Sequence, residues 1–511
     1  MSVRKITAHR LGTLLGMATW LAATALHASE PAPPNAASAH ASMAQLDTLF
    51  ADFARQAHVP GLVYGVVADG RLMHVRGLGV QDIVSRRPVT PETLFRIASM
   101  TKAFTALTVL KLRDDGKLQL DALAETYVGE LRGWSYPTLD APRIRVRDLL
   151  NHSAGFVTDD PWGDRQTPMP EAQFTQLLRE GVPLTRAPGL RMEYSNLGYA
   201  LLGRIIGNVS GEPYAQTITR TLLQPLGMAA SGWDVDAAPG AQRALGYSWE
   251  DDAWQLESDM AHGAFGAMGG LQTNAVDYAK WVAYLLAAWP ARNDADPGPV
   301  KRASVRELAQ GSNFAQLLPP RAGRAKACHR AVSYGMGMLA VVDCELGTYL
   351  SHSCGYPGYG SNLLLLPEHG VGIFAFANRT YAGAGGPVLA AAHVLRESGF
   401  LKARSLAVSD ELVLAYRSVG TIYAKGELAA GGDVLAMNFL LDRSAAGWAR
   451  DLAKLKRELG ECDASAPIMA DGTLSGRFTW ACASGQAKGS VLLAPTRPPR
   501  IQAMEIERVA P

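Results

Sequence analysis

Strand-forming segments stand at the two ends of the first 400 residues, with helical and looped sequence between them. Gly61 to Ala68 and Arg71 to Gly77 flank Asp69-Gly70. That dipeptide suits the two-residue turn of a hairpin, because both positions tolerate positive φ. Strand signals return at Tyr334 to Asp343, Thr348 to Ser353, Asn362 to Leu366 and Val371 to Asn378, the last two around a Pro367-to-Gly370 turn. Residues 140 to 330 mix helices with long Pro- and Gly-bearing loops. Early and late strands with helices between them suit one antiparallel sheet built from both ends, with the helices packed beside it. A length of 511 residues at 48% hydrophobic allows a large core and two domains.

Residues 401–511 read as a second, smaller α+β unit. Ser409 to Tyr416 and Ala445 to Leu459 have helical patterns. Gly476 to Cys482 and Gly489 to Leu493 read as strands, and Ile501 to Val509 alternates in strand fashion. The unit holds no catalytic constellation, and stability, gating or partner binding are its open roles. At the other end, residues 1–28 read as a secretory signal: Arg4, Lys5 and Arg10 precede an apolar run from Leu11 to Leu26 and small residues near Ala25 and Ala28. An uncleaved membrane anchor is the rival reading. Residues 29–41, rich in Ala, Pro and Ser, read as a loose linker. Losing the signal removes three basic groups and no acidic one, so the formal charge of +2 belongs to the signal. A near-neutral mature chain gives no case for nucleic acid or an anionic membrane as partner. No later stretch is long and apolar enough to span a bilayer.

Three short islands carry one kind of chemistry: Ser99-Met100-Thr101-Lys102, Tyr194-Ser195-Asn196 and His352-Ser353-Cys354-Gly355. A hydroxyl and an amine three residues apart at a helix start lie on one face. A serine hydroxyl needs a base to become a nucleophile. The string alone is weak, since Ser2-Val3-Arg4-Lys5 is a chance copy. Context strengthens it. The stretch from Phe95 through Leu110 is mostly apolar and ends at Asp114-Asp115-Gly116, which predicts a buried helix with a glycine stop. A lysine in a buried helix needs polar company.

In these strings the sequence resembles the serine β-lactamases and penicillin-binding proteins, specifically the class C-like branch with its D-peptidases and esterases. The resemblance spans roughly residues 42–395 and rests on strings in the family's order. They are Leu94 to Lys102, Leu149-Leu150-Asn151-His152-Ser153-Ala154-Gly155, Pro188-Gly189, Tyr194 to Tyr199, Pro225 to Met228, Gly269-Gly270-Leu271 and His352 to Asn362. It implies an α/β (α+β) class: a β-lactamase-like fold with an antiparallel sheet flanked by helices plus a helical lobe over 42–400, followed by the small α+β C-terminal domain. It also implies roles. Ser99 would be the nucleophile, Lys102 the holder of the local proton balance, and Tyr194 the general base, its phenolate favoured by the Lys102 charge. Asn196, His352 and Ser353 would contact substrate, Asn196 or orient Lys102. Backbone N–H groups of Ser99 and Gly355 would form the oxyanion hole. No metal or cofactor is implied, and the partner is a small-molecule or peptide substrate.

Plainer readings stand beside these. Tyr194 and Asn196 suit a helix N-cap and its neighbour ahead of Leu197 to Ile206. His352 suits a strand histidine satisfied by a loop, and His152 a structural histidine. One departure is plain: the family's third motif carries glycine where this chain has Cys354. Residues two apart in a strand share a face, so Cys354 lies on the side of His352. It reads as a tolerated change, a narrowed site, or a site that no longer turns over. Of five cysteines, Cys462 with Cys482 and Cys328 with Cys344 are the favoured pairs, leaving Cys354 free, although spacing does not prove connectivity. The reading is a periplasmic or secreted serine hydrolase acting through acyl-Ser99 on D-amino-acid peptides or amides, or on small esters. The rivals are a β-lactamase, a cell-wall-peptide binder without turnover, and an adaptor working through residues 401–511.

Overall fold

The computed structural model describes residues 36–160, 162–234, 242–320 and 328–509. Eight strands form one sheet: β1 (Gly61–Ala68), β2 (Arg71–Gly79), β3 (Asn313–Leu318), β4 (Arg330–Tyr334), β5 (Leu339–Asp343), β6 (Gly347–Tyr356), β7 (Tyr359–Leu366) and β8 (Val371–Ala377). Their order is β2-β1-β8-β7-β6-β5-β4-β3, and every neighbouring pair is antiparallel. The sheet closes from both ends of the chain, because β8 lies against β1. Asp69 and Gly70 both have positive φ, +50° and +70°, as a two-residue hairpin turn requires.

Helices cover both faces: α1 (Ala36–Gln56), α2 (Thr101–Asp114), α3 (Asn196–Ser210), α4 (Ala275–Leu286) and α5 (Gly385–Glu397). Period-2 alternation sorts the central strands between two cores. Val63, Leu363, Leu365, Phe374 and Phe376 join the core containing α2, α3 and α4. Leu62, Tyr64, Leu364, Ile373 and Ala375 join the core under α1 and α5. Strands β1, β7 and β8 are therefore buried along their whole length. Helix α2 is buried from Thr101 to Leu110 and is followed by Gly116 at φ +72°, the expected glycine stop.

The second unit has its own core. Helices α6 (Asp410–Lys425) and α7 (Ala445–Leu459) pack on a four-stranded antiparallel sheet, β9 (Met469–Gly472), β10 (Ser475–Cys482), β11 (Gly485–Leu493) and β12 (Ile501–Arg508). Disulfides join Cys462 to Cys482 and Cys328 to Cys344, and Cys354 is free and buried.

Three expectations change. The linker over 29–41 is helical from Ala36, where an Ala-rich string has high helix propensity; residues 29–35 and the signal reading of 1–28 lie outside the described residues. Tyr334 to Asp343 is a hairpin and not one strand, because Gly335 and Gly337 turn the chain between β4 and β5. Gly337, at φ +80°, sits so near α2 that a Cβ would lie 2.8 Å from the Lys102 carbonyl oxygen. The helix expected at Ser409 to Tyr416 runs on to Lys425, with the Ser409 side chain as its N-cap.

Trp480 is fully buried in the second core, and its Nε1–H donates to the Tyr416 hydroxyl at 2.7 Å. Trp480→Ala is expected to cost about 3–5 kcal/mol by opening a cavity. Urea unfolding followed by circular dichroism measures this.

Candidate active site

Ser99 lies in a 3₁₀ turn, Ala98–Met100, that leads directly into α2. Ala98 adopts φ +41°, an uncommon conformation for a residue with a Cβ. Gly269 lies beside it; a Cβ there would be 3.4 Å from the Ala98 carbonyl carbon. One turn on, Lys102 has no exposed surface. Its Nζ donates to Ser99 Oγ at 2.9 Å, Asn196 Oδ1 at 2.7 Å and the Met268 carbonyl at 3.0 Å. Three acceptors match the three donors of an ammonium. Burial lowers the lysine from 10.5 to about 8, against the opposing pull of the Asp160, Asp164 and Asp159 carboxylates.

Those carboxylates were not singled out in the sequence. The signal available was the string Asp159-Asp160-Pro161-Trp162-Gly163-Asp164, three acids within six residues beside the Tyr194 motif. Asp159 accepts the backbone N–H groups of Asn196 at 2.6 Å and Leu197 at 2.8 Å, and so satisfies the first turn of α3. The N-cap itself is Ser195, whose Oγ accepts from Gly198 N; Asn196 is the first helical residue and not the cap. The Asn196 amide works in two directions. Its oxygen takes Lys102, and its nitrogen donates to Asp160 and, at 3.4 Å, to Asp164. Burial, and then the Asp160 charge, push the Asp164 carboxyl up to about 7.

Tyr194 lines the cleft with Ser99, and its ring lies 4.8 Å from Lys102 Nζ. Burial and the Asp160 charge raise its pKa well above 10. Both effects favour the protonated phenol, against the phenolate expected from the Lys102 charge. The Tyr194 backbone is clamped by His152. The His152 carbonyl accepts from Glu193 N at 2.9 Å, and its Nδ1 accepts from Ser195 N at 3.2 Å. Its ring packs 4.4 Å from that of Tyr194 and 4.3 Å from that of Tyr334.

Strand β6 forms the opposite wall. His352, Cys354 and Tyr356 point inward, as the alternation predicts, and Ser353 is exposed on the other face. The Ser353 hydroxyl accepts from Asn362 Nδ2 at 2.9 Å and borders the cleft from that face. His352 Nδ1 lies 2.7 Å from the Ser353 carbonyl, which can only accept; Nε2, 3.0 Å from the Tyr334 hydroxyl, is then the acceptor. Burial and the Lys102 charge drop the imidazole to about 3, so it is neutral at physiological pH. The Ser99 N–H, one expected oxyanion donor, donates to Cys354 Sγ at 3.1 Å. At the other, Gly355, the ring of Tyr381 lies so close that a Cβ would sit 2.0 Å from it.

Ser99, Tyr194, His352, Cys354 and Gly355 line one cleft of about 790 Å³, which Ser353 and Tyr381 also border. Lys102 and Asn196, both fully buried, lie beneath it. A serine whose hydroxyl holds a buried amine, at the floor of such a cleft, is the arrangement of an acyl-transfer site. The Beta-lactamase family profile matches residues 46–396. The chain belongs to the β-lactamase family. This is a family of serine acyl-transferring hydrolases, and an esterase is among the relatives of this chain. Protein flp of Staphylococcus aureus (strain COL) is 26% identical over 66% of this chain and 63% of its own length. The chain thus spans less than two thirds of the first curated relatives it matches. Esterase EstB of Burkholderia gladioli is 32% identical over 38% of this chain and 52% of its own. Among solved structures, an octameric penicillin-binding protein homologue from Pyrococcus abyssi aligns with TM-score 0.56 and 20% identity over 91% of this chain and all of its own. A class C β-lactamase aligns with TM-score 0.56 and 20% identity over 71% of this chain and 97% of its own. These two likenesses establish the fold. The first is too long to end at residue 400, so it reaches into the second unit.

Cys354 is 6% exposed, and burial pushes its thiol up to about 12. The folded protein is expected to resist iodoacetamide at pH 8 and to take up one equivalent after unfolding without reductant. Mass spectrometry measures this, and rapid alkylation of the native chain would contradict the buried, protonated thiol.

Proposed function

We propose that this chain is an exported serine hydrolase that forms an acyl enzyme at Ser99 and acts on D-amino-acid peptides or amides, or on small esters. The observation that carries the reading is the 2.9 Å contact of the buried Lys102 amine with Ser99 Oγ. A lysine brought to about 8 is deprotonated in an appreciable fraction at neutral pH, and only the neutral amine accepts a proton. Lys102 takes the Ser99 proton as Oγ attacks the substrate carbonyl. The ammonium so formed already has Asn196 Oδ1 and the Met268 carbonyl as partners. Tyr194, protonated, gives its proton to the leaving group and is restored from Lys102. Water then attacks the acyl carbon, and the same groups run the transfers in reverse. The developing oxyanion takes the N–H groups of Ser99 and Gly355, the first after the Cys354 thiol yields it.

A neutral His352 supports peptide, amide or ester substrates over a β-lactam held by its carboxylate, because an uncharged imidazole gives an anion little attraction. Export is supported by the basic-then-apolar start of the sequence and by the two disulfides. No helix among the described residues is long and apolar enough to cross a membrane. A binder without turnover is the second reading, favoured by the Cys354 thiol on the Ser99 N–H.

A fluorophosphonate or a labelled penicillin is expected to attach to the folded wild type and not to Ser99→Ala. Failure of both reagents on wild type would sink the enzyme reading in favour of the binder. A panel of β-lactam, D-alanyl peptide, D-amino-acid amide and short-chain ester substrates separates the substrate classes.

Lys102→Ala and Tyr194→Phe are each expected to lower acylation by about 10²–10⁴-fold. In wild type the acylation rate should rise with pH and level off above about 8, because protonated Lys102 is no base. A rate that is flat from pH 6 to 10 would remove Lys102 from that role.

A further inference from the structure

Tyr381 has no part in the proton transfers, yet its backbone, ring and hydroxyl are all fixed across the cleft. It follows β8 in a loop with tight anchors: Thr380 N donates to the Tyr247 carbonyl at 2.7 Å, Tyr381 N to the Tyr359 carbonyl at 3.1 Å, and Gly358 N to Thr380 Oγ1 at 2.7 Å. Its backbone has φ +51°, a left-handed conformation that a bulky residue adopts only when the surroundings impose it. Its ring covers Gly355, where any side chain would collide with it. Its hydroxyl donates to Asp164 Oδ2 at 2.8 Å. Asp164 is 1% exposed and belongs to the one-turn helix Trp162–Arg165, which lies directly on Asn196; a Cβ at Gly163 would be 2.6 Å from the Asn196 Cβ.

The side chain therefore reaches from the β6 wall to the wall that carries Asn196, while 43% of its surface remains exposed. The rest of the lining includes Arg186, Arg191, Gln316 and Leu339, which belong to other segments. We propose that Tyr381, tied to Asp164, closes the cleft beside Gly355 and restricts substrates to those with a small group on that side of the reacting carbonyl. This rests on the reading of Ser99 as nucleophile and deepens it: the substrate is asymmetric, with a compact group such as a methyl on one side of the carbonyl and the larger part elsewhere in the cleft. The ring acts as a wall, and the Asp164 bond stops it from swinging out.

The test is the rate of Ser99 labelling by two series of fluorophosphonates, one varying the P-alkyl group and one the O-alkyl group between methyl and cyclohexyl. The full chain is used as wild type, Tyr381→Ala, Tyr381→Leu and Tyr381→Phe, each checked by thermal melting. In one of the two series, Tyr381→Ala is expected to raise the cyclohexyl-to-methyl rate ratio by about tenfold or more, the usual scale of a pocket's size discrimination. Tyr381→Leu, which retains more bulk, should give a smaller rise and serves if the alanine variant does not fold. Tyr381→Phe keeps the wall and loses its tether, and should raise the ratio least. Labelling with the wild-type ratio in both series for Ala and Leu overturns this inference alone. No labelling of folded wild type or variants by either methyl reagent overturns the reading of Ser99, and this inference with it.

Discussion

A lysine amine with no exposed surface dictates the arrangement of the helical side of the cleft. Removing an ammonium from water costs several kcal/mol even after the protein relaxes. Lys102 recovers part of that through three acceptors and three nearby carboxylates. The fall from 10.5 to about 8 means that the site disfavours the ammonium by roughly 3 kcal/mol relative to the same group in water. That imbalance is what makes the residue useful: fully compensated, it would stay an ammonium at every relevant pH, and with no compensation it would not hold a proton between steps.

The acceptors come from far apart in the chain, which explains why several elements must meet at one point. Asn196 reaches Lys102 only because α3 begins there, and α3 begins there because Ser195 and Asp159 satisfy its first N–H groups. The Met268 carbonyl requires the 266–269 turn to lie against Ala98, where even a Cβ at Gly269 would be in van der Waals contact. The Asn196 amide links the two charge systems, with its oxygen on the amine and its nitrogen on the acids. Exchanging its O and N would set two donors against Lys102 and an acceptor against two carboxylates, so the orientation is determined by the neighbours.

The features carried by local pattern were legible in the sequence. The Asp69-Gly70 turn, the buried α2 with its Gly116 stop, and the inward pairing of His352 with Cys354 follow from periodicity and turn chemistry. So does the antiparallel sheet that joins both ends of the first 400 residues. What escaped depends on neighbours distant in sequence. Asp159 and Asp160 look like a solvated acidic pair until the fold brings them to the start of α3. At Tyr194, burial and then the Asp160 charge favour the protonated phenol, and neither is visible in its motif. Ser353 lies on the strand face opposite His352 and Cys354, and its place at the border of the cleft depends on how β6 meets its neighbours. Gly335 and Gly337 were read within a strand; their closeness to the Leu308 carbonyl and to α2 is what requires glycine.

The Cys354 thiol now has a definite consequence. Where the family places glycine, this chain places an acceptor 3.1 Å from the N–H that an oxyanion needs. The two acceptors are unequal. A neutral thiol is a weak partner, whereas hydrogen bonds to an ionised oxygen are about twice as strong as neutral ones. Loss of one such donor at a tetrahedral intermediate costs about 2.7–4 kcal/mol. On the proposed role of Ser99, a transition state would take the Ser99 N–H from the thiol, provided the sulfur has somewhere to go. Its near-complete burial restricts that movement. The resting bond to Ser99 is thus the smaller obstacle. The larger one is the volume of the sulfur beside the nucleophile, which favours substrates whose carbonyl enters the hole without bulk on the β6 side. The ring of Tyr381 lies over Gly355 one residue along, so the two side chains narrow the same stretch of the cleft.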